Sequence, residues 1–189
     1  MTRFAHLATL SLLLGGLVAE AAPRRDISQL DLESAKQTVT ATGLEIKTLW
    51  GLSPDNGVGI LIGGRLVRYL SDAFFLGGGG YGGSLVGRPG QTGGFGYGGF
   101  IAGAELKASD ALSFSAMVLL GGGGGTPAPG DQAAGFIAEP GVAIDWAITK
   151  GTRLGLTGGY LFLIGSRSLS GFVIGLRLEA KSFNLSFPE

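Results

Sequence analysis

The sequence has no cysteine and a single histidine, His6. Without cysteine the chain forms no disulfide bond and offers no site for lipoprotein acylation. His6 lies in a segment that we expect to be cleaved, so the mature chain contains neither residue type. Their absence excludes Ser-His-Asp and Cys-His nucleophilic sites and histidine-based metal centres. We therefore expect the protein not to be an enzyme and to use no metal or cofactor.

Charged residues are also few, at 15% of the chain, and the 14 basic and 14 acidic residues cancel. A chain without a basic surplus lacks the electrostatic signature of a nucleic-acid-binding protein. No apolar run of about 18 residues follows the N-terminal segment, which argues against a helical membrane protein. Glycine, in contrast, is abundant at 37 residues and shows no collagen-like period.

The N-terminus has the pattern of a secretory signal peptide. A charged start precedes an apolar core at residues 7–18, and Ala19-Glu20-Ala21 is a small-x-small cleavage site. We expect residues 1–21 to be removed, residues 22–36 to form a periplasmic tail, and residues 37–189 to form one domain. The alternative, an N-terminal membrane anchor, is disfavoured by the short apolar run.

Residues 135–148 show the clearest periodicity in the chain. Even positions such as Phe136 and Trp146 are apolar, whereas odd positions are mostly small and include Glu139 and Asp145. This period of two indicates a β-strand with two unlike faces. The stretch is more than twice the usual soluble strand of about 5–6 residues and can cross a bilayer at a tilt of about 45°. Large apolar residues on one face and small or charged residues on the other are typical of a transmembrane β-barrel.

Similar alternation predicts eight strands at residues 42–52, 57–69, 73–84, 94–107, 111–122, 135–148, 152–165 and 170–181. Tight turns are predicted at residues 70–72, 108–110 and 149–151. The other connections are residues 53–56, 85–92, 123–132 and 166–169, of which the middle two are longer. We therefore predict an all-β fold: an eight-stranded antiparallel up-and-down transmembrane β-barrel with short periplasmic turns and longer extracellular loops.

Charged residues at the odd positions should face the lumen of such a barrel. They are Glu45, Lys47, Arg65, Glu105, Glu139, Asp145, Arg177 and Glu179. These charges either line a pore or form a salt-bridged plug, and a barrel of only eight strands favours the plug. Because strands 1 and 8 become neighbours on closure, Lys47 with Glu179 and Arg177 with Glu45 are the expected partners.

The two tryptophans lie on the apolar face at opposite ends of the predicted barrel. Trp50 is at the loop end of strand 1, and Trp146 is at the turn end of strand 6. Aromatic residues concentrate at both interfaces of a membrane, so we expect these two to mark the two boundaries.

Three places depart from simple alternation. Pro140 cannot donate a ladder hydrogen bond, so we expect a bulge or a missing bond there. The apolar parity changes near Gly43 and after Lys181, which predicts a bulge at each place. We expect residues 37–41 to pair with residues 183–187 and close the barrel.

Glycine clusters at residues 77–83, 93–99 and 121–125 admit two interpretations. A phosphate-binding loop would need a following Gly-Lys-Ser/Thr, which none of them has. A narrow lumen with a strongly curved wall accounts for them better, because glycine permits close approach. Residues 121–130, with Pro127 and Pro129, are expected to form a mobile loop.

The chain resembles the small eight-stranded outer-membrane barrels, namely the OmpA-type transmembrane domain and the opacity-like proteins, over residues 37–187. The resemblance rests on strand pattern and not on a specific motif. It implies a bacterial outer-membrane location with the lipid bilayer as partner. The end of the chain departs from the family, because such barrels often end in phenylalanine, whereas Phe187 is followed by Pro188 and Glu189.

Three functions remain open from the sequence. The first is an integral outer-membrane barrel, expected to be monomeric, with a structural or surface-interaction role and an unidentified surface ligand. The second is a narrow channel or small-ligand carrier. The third is a soluble secreted β-barrel or sandwich that binds an apolar ligand. The third requires a polar outer face, which the alternation opposes.

Overall fold

The structure is a computed structural model of the protein, and it describes residues 37–52, 57–86, 92–126, 132–165 and 169–185. The expected signal peptide and periplasmic tail lie outside these residues. The described residues form eight β-strands that close into one barrel, as predicted. The strands are β1 Gln37–Leu52, β2 Gly57–Tyr69, β3 Phe74–Val86, β4 Thr92–Lys107, β5 Leu112–Thr126, β6 Ala133–Ala147, β7 Thr152–Gly165 and β8 Leu169–Leu185. In the part of the chain that is described, no helix has the length and apolarity that a membrane crossing requires.

Each strand pairs in antiparallel fashion with the next, and β8 pairs with β1. One row of partners runs from Thr40 through Arg68, Leu76, Ala102 and Val118 to Pro140. Past Pro140 the register is unchanged, and Tyr160 pairs with Phe172, which pairs with Trp50. One circuit therefore returns to β1 ten residues beyond its start, between Thr40 and Trp50. That stagger in an eight-stranded barrel tilts the strands by roughly 40°.

Side chains alternate between the lumen and the outer wall because of the pleat of the strands. The odd-numbered positions face the lumen, and most of their side chains are buried. The even-numbered positions face outward and carry large apolar side chains such as Leu44 and Phe172, which are 69% and 64% exposed. The outer wall is thus the apolar surface of the molecule.

Three turns of the same construction join the strands at one end of the barrel, the turn end. In the β2–β3 turn, Ser71 Oγ accepts hydrogen bonds from the backbone N–H groups of Ala73 and Phe74, at 3.3 and 3.1 Å. Ser109 and Thr149 do the same in the β4–β5 and β6–β7 turns. A serine or threonine at the second position of each turn therefore replaces the ladder bonds that the reversing backbone loses.

At the opposite end, the loop end, the strands extend further than the sequence predicted. β3 reaches Val86 and β4 begins at Thr92, and glycines 121–125 belong to β5. The mobile loop predicted for residues 121–130 was therefore wrong for residues 121–126. Only residues 53–56, 87–91, 127–132 and 166–168 connect the strands at this end.

The bulges predicted near Gly43 and after Lys181 were wrong. The pairing of β1 with β8 runs without a shift from Gln37 to Trp50. Ala41 is buried in the lumen, in the same parity as the charged positions after it. Near the turn end the outward, even-numbered positions become polar, as at Thr40. The apolar residues there are therefore odd-numbered, although the backbone pairing stays regular. The β1–β2 pairing shifts instead at Gly51, whose φ of 84° lies in the left-handed region.

The closure of the barrel and the effect of Pro140 follow the predictions more closely. Gln37 pairs with Leu185 and Val39 with Phe183, while Phe187 lies outside the described residues. Between β6 and β7, partner pairs are absent at Glu139 and Pro140 while the register is kept. The proline thus interrupts the ladder without forming a bulge, because it lacks the N–H that the ladder needs.

Some glycines are required by the close approach of neighbouring strands. A Cβ on Gly83 would overlap the carbonyl oxygen of Ile60 on β2. Gly82, the next residue, faces outward, and a Cβ there would meet its nearest atom, a backbone oxygen of Phe95, at 4.0 Å. Glycine at inward positions such as Gly83 therefore lets neighbouring strands approach closely, as expected for a narrow barrel.

Candidate functional site: the charged interior of the barrel

The side chains that face the lumen form two layers. The half near the loop end is apolar and includes Leu49, Leu61, Phe95, Ile137 and Leu163. The half toward the turn end holds most of the charged side chains. The eight charges predicted to face inward all lie in the lumen, each between 0% and 8% exposed.

The pair formed by Lys47 and Glu139 crosses the lumen between β1 and β6. Lys47 Nζ lies 2.6 Å from Glu139 Oε1. The hydroxyl of Tyr97 donates to the other oxygen of the same carboxylate. Lys47 Nζ also lies 3.5 Å from the centre of the Tyr81 ring, within the range of a cation–π contact. This pair adjoins the apolar layer and has charge compensation, hydrogen bonds and an aromatic contact together.

Two arginines share the next level of the lumen. Arg65 on β2 donates to Glu179 on β8 through both Nε and Nη2. Arg177 on β8 contacts both oxygens of Asp145 on β6, at 2.6 and 2.8 Å. Arg177 Nε also lies 3.9 Å from Glu179, which links the two pairs. A side chain on Gly155 would collide with the Asp145 carboxylate, so this glycine opens the space in which the second pair forms.

At the turn end, Glu105 is contacted by two cations. Arg153 Nη1 lies 2.5 Å from Glu105 Oε1, and Lys181 Nζ lies 3.1 Å from Oε2. The hydroxyl of Tyr69 donates to the same carboxylate, and Arg153 also donates to Ser113 Oγ at 2.9 Å. This cluster joins five strands, β2, β4, β5, β7 and β8, at the turn-end mouth of the lumen.

Glu45 differs from the other carboxylates of the lumen. It accepts hydrogen bonds from Tyr81 Oη at 2.7 Å and from Thr157 Oγ1 at 2.5 Å. No cation among the described residues lies within ion-pair distance of it. A Cβ on Gly175 would meet Thr157 Oγ1 at 2.7 Å and Glu45 Oε1 at 3.0 Å, so this glycine leaves room for the hydroxyl contact. Glu45 is therefore held by neutral donors alone.

The partners predicted for the charges were wrong. Lys47 does not pair with Glu179, and Arg177 does not pair with Glu45, although Glu45 and Arg177 are Cα partners in the β1–β8 ladder. Lys47 reaches across the narrow lumen to β6, and Arg65 and Arg177 reach past one adjacent strand instead of toward their ladder neighbours. The prediction also omitted Arg153 and Lys181, which stand at odd positions, and the tyrosine donors, whose odd parity could have identified them.

The two tryptophans lie on the outer wall at opposite ends of the barrel. Trp50 is third from the loop end of β1, and Trp146 is second from the turn end of β6. Both are partly exposed. On β6, Phe136 and Trp146 are ten residues apart, which at roughly 3.3 Å per residue and a tilt of about 40° gives an apolar band of about 25 Å.

The described residues contain no group of three or more metal-ligating side chains that could hold a metal ion. The polar atoms of the lumen are instead occupied largely by each other. Chemically, this arrangement neutralises most of the buried charges inside the barrel.

Comparison with known proteins identifies the fold. No family model and no curated protein sequence matches the chain. Among solved structures, Neisserial surface protein A matches with a TM-score of 0.56 and 10% identity, covering 77% of this chain and 96% of that one. The N-terminal β-barrel domain of Pseudomonas aeruginosa OprF gives 0.52 and 13%, covering 75% and 97%. Ail, the attachment invasion locus protein of Yersinia pestis, gives 0.52 and 12%, covering 78% and 99%.

These matches span nearly the whole of each known structure. The resemblance to small eight-stranded outer-membrane barrels, predicted from strand pattern, is thereby confirmed for the fold. At such low identity the likeness concerns the fold alone.

Proposed function

We propose that this protein is an integral, non-enzymatic protein of the bacterial outer membrane. It is a monomeric barrel whose lumen is closed by its own side chains. The observation that carries the proposal is the inversion of polarity between wall and lumen. Among the described residues, large apolar side chains cover the outside, while ten charged side chains face the inside. That distribution suits a barrel whose solvent is lipid.

The outer wall supports the membrane location. Its exposed apolar residues extend around the barrel, including Ile62, Phe100, Val142 and Leu176. Soluble monomers rarely expose a continuous apolar patch of more than a few hundred Å². The band of about 25 Å between the levels of Phe136 and Trp146 equals the apolar height of known outer-membrane barrels.

The lumen supports a closed barrel more than a channel. Lys47–Glu139 crosses the interior from β1 to β6, and Arg177–Asp145 spans from β8 past β7 to β6. The layer around Leu49, Leu61 and Ile137 lies above them toward the loop end. An ion entering the lumen would have to separate buried pairs and then cross an apolar layer, and both steps are costly.

The connections at the loop end favour a structural role over an adhesive one. Between three and six residues join the strands there, at residues 53–56, 87–91, 127–132 and 166–168. Recognition by a rigid barrel is usually carried by its loops, and such short connections offer little chain for it. A surface-interaction role is therefore the second candidate, confined to residues 87–91 and 127–132.

The test begins with the mature chain refolded into phosphatidylcholine vesicles. We expect a β-type circular dichroism spectrum, protection from protease only in lipid, and different gel migration of boiled and unboiled protein. A soluble monomer that needs no detergent would contradict the membrane location.

Planar-bilayer recording then separates the closed barrel from the channel. We expect no discrete conductance steps from the wild-type protein. Regular steps from inserted protein would contradict the closed lumen while leaving the membrane location intact. The lumen variant Leu61→Ala, compared with the outer-wall variant Ile62→Ala, would show whether the apolar layer contributes to the seal.

A further inference from the structure

A groove runs along the outer wall where β2 and β3 meet near the turn end. It has a volume of about 490 Å³ and is lined by Thr40, Leu66, Val67, Arg68, Leu76, Gly77 and Gly78. Leu66 and Leu76 form apolar walls, and the glycines leave the floor without side chains. Arg68 is the only charged residue of this lining.

Arg68 differs from the other arginines of the strands in the side that it faces and in its level along the barrel. Arg65, Arg153 and Arg177 point into the lumen, whereas Arg68 has the outward parity and is exposed. It is the second residue from the turn end of β2, as Trp146 is of β6. Arg68 therefore lies at the level of the boundary tryptophan, with the groove extending from it toward the middle of the apolar band.

We propose that this groove binds one anionic phospholipid, with the phosphate at Arg68 and an acyl chain along Leu66, Leu76 and Gly78. The proposal rests on the membrane location proposed above. A guanidinium binds phosphate oxygens in a bidentate manner, and at a membrane boundary the arginine stem lies along apolar surface while its head stays at the headgroup level.

Charge complementarity selects the occupant. An outward cation at the edge of an apolar wall attracts anionic headgroups over zwitterionic ones. Arg68 has a contact within the protein. A guanidinium carries five N–H donors, so a phosphate can bind beside that contact. The hydroxyl of Thr40, in the same lining, is a further donor for a headgroup oxygen.

The experiment uses the full mature barrel, refolded into vesicles of equal parts phosphatidylglycerol and phosphatidylcholine. After extraction in mild detergent, native mass spectrometry measures which lipid stays bound. We expect the wild-type protein to retain phosphatidylglycerol about fivefold over phosphatidylcholine, the effect of one basic residue at a charged interface. We expect Arg68→Gln to retain the two equally.

A matched control is Lys150→Gln, which removes an exposed cation from the turn between β6 and β7 at the same end of the barrel. It should keep the wild-type preference. An equal loss in both variants would show a diffuse charge effect and overturn the groove as the site. A preference unchanged in Arg68→Gln would overturn it as well.

The acyl-chain part is tested by filling the groove. Gly78→Leu places a side chain in it, with a Cβ 3.3 Å from the Gly99 carbonyl oxygen, and should reduce retention of both lipids. Gly82→Leu, an outward glycine of the same strand outside the groove, should leave retention unchanged. Equal retention in the two variants would overturn the acyl-chain position.

The result also distinguishes this inference from the proposed function. Protein that inserts with normal heat-dependent migration but shows no preference for phosphatidylglycerol overturns the lipid site alone. Protein that fails to insert into any vesicle overturns both.

Discussion

At the scale of single residues, the lumen contains carboxylates in two kinds of environment. Glu139 is paired with Lys47, whereas Glu45 is held by the hydroxyls of Tyr81 and Thr157. Breaking a buried ion pair leaves one charge without compensation, which is much more costly than losing one neutral hydrogen bond. The two carboxylates should therefore respond differently to the same substitution.

Lys47→Met should lower the free energy of unfolding by about 3–5 kcal/mol, because the Glu139 charge stays buried without its cation. Urea unfolding of the refolded barrel, followed by tryptophan fluorescence and gel migration, measures the change. The double variant Lys47→Met/Glu139→Gln should recover part of the loss. Losses that add in the double variant would contradict direct coupling between the two side chains.

Glu45→Gln should change the free energy of unfolding by only about 1 kcal/mol, since no cation among the described residues loses its partner and the amide oxygen still accepts a hydrogen bond. Glu139→Gln, measured in the same way, should be more destabilising because Lys47 then stays buried and charged. If the two substitutions were equally destabilising, the distinction between the two environments would not hold.

At the scale of the strands, glycine has two separate uses in β3. Inward glycines such as Gly83 lie where the backbone of the neighbouring strand, here β2, is too close for a Cβ. At Gly82, which faces outward, an added Cβ would meet its nearest atom at 4.0 Å, which is an ordinary contact. The same residue type is thus a steric requirement at one position and dispensable at its neighbour.

Gly83→Ala should destabilise the barrel by about 1–3 kcal/mol or more, because the added methyl group forces β2 and β3 apart. Gly82→Ala is the matched control and should be neutral or slightly stabilising, since alanine loses less backbone entropy. Urea midpoints of the two variants in the same vesicles provide the comparison. Equal midpoints would show that the strands relax around the methyl group at Gly83.

Much of the strand architecture follows from alternation in the sequence. β2 and β7 have the predicted bounds, and the lumen parity of charges such as Glu105 and Arg177 is visible as odd numbering. The side that a residue faces can be predicted from the sequence because the pleat turns alternate residues of a strand to opposite faces. The three turns were also visible, through serine or threonine followed by a small or charged residue.

Partner choice could not be predicted in this way. The ion pair of Lys47 with Glu139 joins β1 to β6, and its geometry depends on strand tilt and on the reach of both side chains across the lumen. The bulge predicted near Gly43 was wrong for another reason. The outer wall becomes polar where the apolar band ends, so the change in pattern near Ala41 reflects the end of the band and not a change in the pairing. Glycines 121–125 resemble a loop in composition, whereas their small size is what admits close neighbours to β5.

At the scale of the whole molecule, the apolar band has a definite height of about 25 Å. A barrel wall is stiff, so a bilayer of different hydrocarbon thickness must deform around it, at a cost of fractions of a kcal/mol per Å of mismatch. We expect the urea midpoint to be highest in phosphatidylcholine vesicles whose hydrocarbon thickness is near that value. It should fall as the acyl chains are lengthened.

Trp146→Ala provides a check on this dependence. Because we propose that Trp146 lies at one membrane boundary, its removal should flatten the thickness profile more than Phe136→Ala, the substitution at the other end of the band. A midpoint that does not vary with acyl-chain length would contradict the proposed position of the band.

The pairing of β1 with β8 has a kinetic consequence. Gln37 finds its partner in Leu185, so the contact that seals the ladder joins residues separated by almost the entire folded domain. Until β8 pairs with β1, both edge strands of the growing sheet expose unpaired N–H and C=O groups, which can pair with strands of other chains. Sealing cannot precede the synthesis of β8, and contacts of such long range form slowly. We therefore expect the newly made chain to require a carrier that keeps it unassociated until its final strand is available.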